Sequence, residues 1–293
     1  MTTRKTGSLT IHSHPRPLVI AHRGASGLAP ENTLAAFALA IGLGADGVEM
    51  DVQLAADGRV MVIHDARVNR TTDAVGRVAN FTVEQFEGLD AGGWFERRLL
   101  LRPRVRAMAN RAAVIAGRDE LHFSTERVPT LDATLDLIAP ARLQRVYIEL
   151  KGHRTDKAPL LEATLALVRE RQMEREVTLL SFDHEIIKRV KQVAPHLRTA
   201  ATFGITGRRL ISTRTIINAA QRVEADEVAL HYALATRRAV TALHAAGLAV
   251  SVWTANSKLL MFRLAASGVD GIMTNFPDRL IDVLGRNPIG SDE

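Results

Sequence analysis

The chain has 293 residues, 46% of them apolar, and a formal net charge of +6. That length allows one large domain or two small ones with a sizeable core, and so modest a basic excess favours anionic substrates only weakly and does not suggest nucleic acid. There is no cysteine, which excludes disulfides, thiolate catalysis and cysteine-ligated zinc.

In chain order, the opening MTTRKTGSLTIHSHPRP lacks the apolar stretch of a secretory signal. The greasiest segment, around Leu34 to Leu43, is short and runs into Gly44 and Asp46, so it is no membrane span. A cytoplasmic protein without a transmembrane segment is expected, and peripheral contact with a membrane stays open. Eight short apolar runs follow: LVIAH (18–22), GVEMDV (47–52), VYIEL (146–150), VTLLS (177–181), LRTAAT (197–202), DEVAL (226–230), LAVSVW (248–253) and DGIMT (270–274). Helical patterns lie between most of them, at 33–42, 157–172, 184–194, 236–247 and 257–267. Strand–helix alternation implies an α/β fold with a parallel sheet. Eight units suit a closed (β/α)₈ TIM barrel better than an open sheet. The barrel is expected over 18–285, with tails at 1–17 and 286–293.

The spacing breaks once. The second strand ends near Leu54 and the third begins near Val146, too far apart for one βα unit. The gap holds a hairpin partner, VMVIH (60–64), and a small insertion, placed at about 65–127. Within it Arg97, Arg98, Arg102, Arg104 and Arg106 precede a helix-like RAMANRAAVIAG. This segment reads as a solvated cap near the barrel mouth, or as a basic surface for lipid headgroups, an anionic ligand or another subunit.

Asp57-Gly58 signals a two-residue hairpin. Positions summing to 115 would then face one another, placing Val52 opposite Ile63 and Asp51 opposite His64. One face would carry Met50, Val52, Leu54, Met61 and Ile63, and the other Glu49, Asp51, Gln53, Val62 and His64. Glu49 and Asp51 would share a side, roughly 6–7 Å apart along the backbone, with His64 about 5 Å from Asp51 at the Cβ atoms. Adjacent buried carboxylates need a neutralising charge, and oxygen ligands suit a hard ion, Mg²⁺ or Ca²⁺. Taken alone, the hairpin also fits a surface ribbon with a salt-bridged polar face. Further polar groups sit at the other strand ends: His22-Arg23-Gly24, Glu149 and Lys151, Trp253-Thr254 with Asn256, and Thr274-Asn275. Barrel enzymes build their sites on that face.

The ordered set of motifs resembles the glycerophosphodiester phosphodiesterases. It comprises HRG (22–24), PEN-T (30–33), ExD (Glu49, Asp51), HD (64–65), NRTT (69–72), IELK (148–151), SFD (181–183), VWTAN (252–256) and MTNFP (273–277). The resemblance covers about 18 to 280. It implies a metal-dependent phosphodiesterase on a (β/α)₈ barrel, with Glu49, Asp51 and Glu149 as ligands of one divalent cation. It also implies His22 and His64 as the acid/base pair and Arg23 and Lys151 on the phosphate, while Trp253 reads either as core packing at the barrel top or as a wall for the glycerol carbons. Hydrolysis of glycerophosphodiesters to sn-glycerol 3-phosphate and an alcohol is expected. Lysophospholipase D or cyclic-phosphate-forming activity on the same site is the alternative, and a non-catalytic binding barrel is a third reading. The family usually runs more directly from the Trp94-Phe95 segment to Pro129-Thr130-Leu131. No nucleotide cofactor or nucleic-acid partner is expected. Oligomeric state and the choice of alcohol are left open.

Overall fold

Strands rich in β-branched residues alternate with amphipathic helices, and the sheet they form closes on itself. The computed structural model describes residues 16–115, 123, 126–151, 157–205 and 211–286. Nine strands are present there: β1 (Leu18–His22), β2 (Gly47–Leu54), β3 (Val60–Val62), β4 (Arg145–Leu150), β5 (Val177–Ser181), β6 (Arg198–Phe203), β7 (Glu227–His231), β8 (Ala249–Trp253) and β9 (Gly271–Thr274). Eight of them are parallel, and the β1–β2 pairing closes the ring into a TIM barrel, with β3 antiparallel on β2. The expected tails fall outside the described residues except for 16, 17 and 286.

The helices are α1 (Leu34–Gly42), α2 (Val83–Glu87), α3 (Gly93–Leu100), α4 (Pro103–Ile115), α5 (Leu131–Ile138), α6 (Lys157–Glu170), α7 (His184–Val193), α8 (Thr213–Arg222), α9 (Arg237–Ala245), α10 (Lys258–Ser267) and α11 (Pro277–Val283). Many start at a side-chain cap. Thr33, Thr130, Asp183, Ser212, Thr236 and Ser257 each accept from a backbone N–H of the first turn.

Period-two alternation sorts the barrel strands. Val146, Ile148 and Leu150 of β4 pack outward in the main core, whereas Tyr147 joins Ile20, Leu180, Ala200, Ala229 and Met273 inside the barrel. Tyr147 Oη also donates to the buried Glu227 carboxylate at 2.9 Å. The segment from 93 to 115 is a helical hairpin partly built into the core. Phe95, Leu99, Ala109 and Ala112 are buried in the main cluster, so it is not merely a solvated cap.

The β2–β3 hairpin differs from expectation by one residue. Val52 faces Val62, Gln53 faces Met61 and Leu54 faces Val60, so opposed positions sum to 114. The cause is the loop. Ala55 N–H bonds to Arg59 O, leaving Ala56, Asp57 and Gly58 as a three-residue turn. Gly58 has φ +80°, but Asp57 is not in the left-handed region that a two-residue type I′ loop requires of both residues. A one-residue slip exchanges the faces of β3. Val62 therefore shares the outer core with Val52, and Met61 and Ile63 join a separate cluster with Val68, Val78 and Phe86.

Candidate active site

β1 and β2 deliver the first site residues. His22 ends β1 beside Glu49 of β2. Val52 pairs with Leu150 of β4 on one flank and Val62 of β3 on the other. The hairpin thus lies beyond the end of β1 and carries the chain back toward the barrel mouth. Ile63, not His64, stands opposite Asp51, its N–H bonding to Asp51 O at 2.9 Å. His64 reaches the site through the bend that follows β3. On β4, alternation points Glu149 inward, and Lys151 follows at the strand end.

These side chains meet around one cavity of about 110 Å³ at the C-terminal ends of the strands. His22, Arg23, Glu49, His64, Glu149 and Lys151 line it, together with Thr202 and the apolar Leu180, Phe182, Trp253 and Met273. Trp253 does two things. Its indole N–H donates to Ala229 O at 3.1 Å, and its ring stands edge-on to Phe182 with centroids 5.5 Å apart. No described residue of α3 or α4 is among the lining residues.

Glu49, Asp51 and Glu149 are buried, with ligand-type oxygens all within 4.8 Å of one another. Lys151 Nζ lies 2.6 Å from Glu149 Oε1 and 3.1 Å from Asp51 Oδ1. Arg23 Nε lies 3.1 Å from Asp51 Oδ2, and its backbone N–H donates to Glu49 Oε2 at 3.0 Å. Asn32 Nδ2 donates to Asp51 Oδ2 at 2.9 Å. Burial, then the Asp51 charge, pushes the Glu49 carboxyl well above the usual range, and burial raises Glu149. Asp51 goes the opposite way despite its burial, held down chiefly by Lys151 and Arg23. Asp51 Oδ1 has no aligned hydrogen-bond donor. Three buried carboxylates whose oxygens lie this close could hold a hard divalent cation.

The histidines have different partners. His22 Nδ1 is 2.8 Å from the Asn275 amide oxygen, and its Nε2 is 3.9 Å from Glu49 Oε2. Burial, then the Arg23 charge, brings its pKa down to about 4. His64 Nδ1 is 2.5 Å from Asp65 Oδ1. Asp65 also accepts from Arg70 Nε at 2.6 Å, and Arg70 reaches both oxygens of Glu31, at 2.6 and 2.8 Å. Glu31 in turn accepts from Arg23 Nη1 at 2.7 Å. The hydrogen bond from Arg70 is the main reason the Asp65 pKa falls to about 2. Glu31, Asn32, Asp65, Arg70 and Asn275 were within the quoted motifs, but residue type alone assigned them no role. His231, the last residue of β7, accepts from Ala233 N–H, packs on Tyr232 and stands edge-on to Trp253.

A model of the glycerophosphoryl diester phosphodiesterase family matches residues 22–279. A glycerophosphodiester phosphodiesterase of Caldanaerobacter subterraneus subsp. tengcongensis is 35% identical over 269 residues, 92% of this chain and 98% of its own. The crystal structure of a glycerophosphodiester phosphodiesterase from Agrobacterium tumefaciens is 30% identical with a TM-score of 0.71, covering 91% of this chain and 99% of that one. An Oleispira antarctica phosphodiesterase solved with the product sn-glycerol-3-phosphate shares the fold, at TM-score 0.76 and 24% identity, covering 92% of this chain and 97% of that one.

Proposed function

Because the chain belongs to the glycerophosphodiester phosphodiesterase family and is an enzyme of that kind, we propose that it hydrolyses small glycerophosphodiesters to sn-glycerol 3-phosphate and an alcohol by histidine acid/base chemistry at a cation site. The observation that carries this reading is the convergence of two imidazoles, Glu49, Glu149, Arg23 and Lys151 on one small cavity, with Asp51 buried against the two acids. The product in the Oleispira structure supports the same product here. The cavity has room for roughly eight water-sized groups, taking 10–15 Å³ for each, which suits a glycerophosphoryl group rather than an acyl chain.

Glu49, Asp51 and Glu149 would hold the cation, Mg²⁺ or Ca²⁺, which when bound supplies positive charge against the phosphoryl oxygens. Arg23 and Lys151 are fixed by the same carboxylates and would meet the phosphate, where charge builds in the transition state. Trp253, Phe182 and Leu180 would wall the glycerol carbons. His22 has a neutral amide on Nδ1 and a cation beside it, so it stays uncharged with Nε2 free to accept. It is assigned as the base that takes the proton of the attacking water. Burial lowers the His64 pKa, and Asp51 and Asp65 only partly oppose it. With Asp65 holding Nδ1, the opposite ring nitrogen faces the cavity, and His64 is assigned as the acid that protonates the leaving alcohol. The phosphorus–oxygen bond to the alcohol breaks as the bond to the water oxygen forms. We place this chemistry in the barrel at 18–285.

The test is release of glycerol 3-phosphate from glycerophosphocholine and glycerophosphoethanolamine with Mg²⁺, Ca²⁺ or a chelator. Release that the chelator abolishes is expected, and none with either metal would overturn the reading. His22→Ala and His64→Ala should each lose roughly 10²–10⁴-fold in kcat. With a p-nitrophenol leaving group, which needs no proton, His64→Ala should recover most activity and His22→Ala should not. The reverse pattern would exchange their assignments.

A further inference from the structure

Residues 97–118 contain seven arginines and neither an acidic residue nor a lysine. That exceeds the net charge of +6 on the whole chain and leaves the remainder at −1. The described part of this stretch forms most of the α3–α4 hairpin, whose inner side is buried through Leu99, Ala109 and Ala112. Its outer side exposes Arg97, Arg98, Arg102, Arg104, Arg106 and Arg111. None of these six makes an ion pair or side-chain hydrogen bond with a described residue, whereas Arg171 elsewhere clasps both Asp132 and Asp136. At the turn between the helices, Leu100 and Leu101 are 67% and 84% exposed.

We propose that the tip of the α3–α4 hairpin is an interaction surface for an anionic lipid bilayer, docking the enzyme peripherally. Guanidinium forks match lipid phosphates in pairs of hydrogen bonds. Two leucines at a turn can enter the acyl boundary while the arginine stems reach back to the headgroups. A nucleic acid would satisfy the charges and leave the leucines in water. A symmetric contact with a second copy would set like charges against like. The hairpin contributes no described residue to the catalytic cavity, so docking and turnover are separable.

The test is sedimentation of the purified full chain with vesicles of phosphatidylcholine alone and of phosphatidylcholine mixed with phosphatidylglycerol. Binding to the mixed vesicles only, weakened by salt, is expected. Each arginine near such a surface contributes about fivefold in partitioning. The combined Arg97→Gln, Arg98→Gln, Arg102→Gln and Arg104→Gln variant should therefore bind at least about a hundredfold less. Leu100→Ser with Leu101→Ser should still bind at low salt and be released at a lower salt concentration than the native chain. Both variants should turn over soluble glycerophosphodiester at the native rate, which shows that they fold. Failure of the native chain to bind mixed vesicles, equal binding to neutral ones, or undiminished binding by the quadruple variant would overturn the proposal. So would native-level lipid binding by the leucine variant at every salt concentration.

Discussion

Arg70 holds two carboxylates with one guanidinium, Glu31 through its terminal nitrogens and Asp65 through Nε. Asp65 orients His64, and Glu31 orients Arg23. A single side chain outside the cavity therefore fixes an imidazole from the hairpin and a guanidinium from the β1–α1 loop. It is a positioning residue, and misplacing a reacting group by about 1 Å can cost 10²-fold. Arg70→Met should lower kcat by about that factor with little change in KM, and its circular dichroism should remain native. Arg70→Lys should recover only part of the loss, because a point charge cannot span both carboxylates. Native kcat in the Met variant would dismiss the role. Glu49, Asp51 and Glu149 were legible because alternation along β2 and β4 turns them one way, whereas His22, His64, Arg23 and Lys151 were legible from the motifs at the strand ends, His64 despite a register one residue out. Arg70, Glu31 and Asp65 were not, since their pairing exists only once the hairpin and the β1–α1 loop meet.

The turn that leaves β1 shows how tightly strand and helix are joined. Gly24 has φ +75°, and a Cβ there would lie 2.6 Å from the Ala36 carbonyl carbon and 2.7 Å from Ala36 Cβ. Those atoms belong to the body of α1 and cannot swing aside. Gly24→Ala should cost about 2–4 kcal/mol from left-handed strain and overpacking together. Gly58, at φ +80° in the hairpin loop, has no atom within 4 Å of the added Cβ. Gly58→Ala should cost only the strain, about 1–2 kcal/mol. Urea midpoints of the two variants measure the difference, and equal shifts would mean that α1 yields without cost. The same hairpin marks the limit of pattern reading at this scale. The strands follow from alternation, but register follows from the number of loop residues with positive φ, and Asp57-Gly58 does not reveal that number.

Closure of the barrel was legible because eight strand–helix units leave little choice of architecture. The docking of the 93–115 hairpin was not, since its alanines show where it is buried but not against what. Closure is also what forces three acids into one buried cluster, and this ties stability to pH and to the cation. Burial holds the Glu49 and Glu149 carboxyls above their unfolded values. Between the unfolded and the raised values the native state binds more protons than the unfolded chain, so stability falls as pH rises through that window. Asp51 is depressed, so its contribution is lost only as pH falls below the ordinary carboxylate range. His22 and His64 are lowered by burial and act the opposite way up to their unfolded value, so the decline should show only above about pH 7, where both are neutral in either state: in chelator, the melting temperature should fall from about pH 7 toward 8. A bound cation requires the carboxylates deprotonated and replaces the missing neutralisation. At about 100 times its dissociation constant, Mg²⁺ or Ca²⁺ should add about 2.7 kcal/mol, or roughly 4–5 °C for a chain of this size. The gain should be larger at pH 8 than at pH 5.5, because protons compete with the cation for the same oxygens. Glu149→Gln should abolish most of it. A melting temperature indifferent to both ions, or a gain undiminished in Glu149→Gln, would remove the cation from this cluster and leave Arg23 and Lys151 as its only counter-charges.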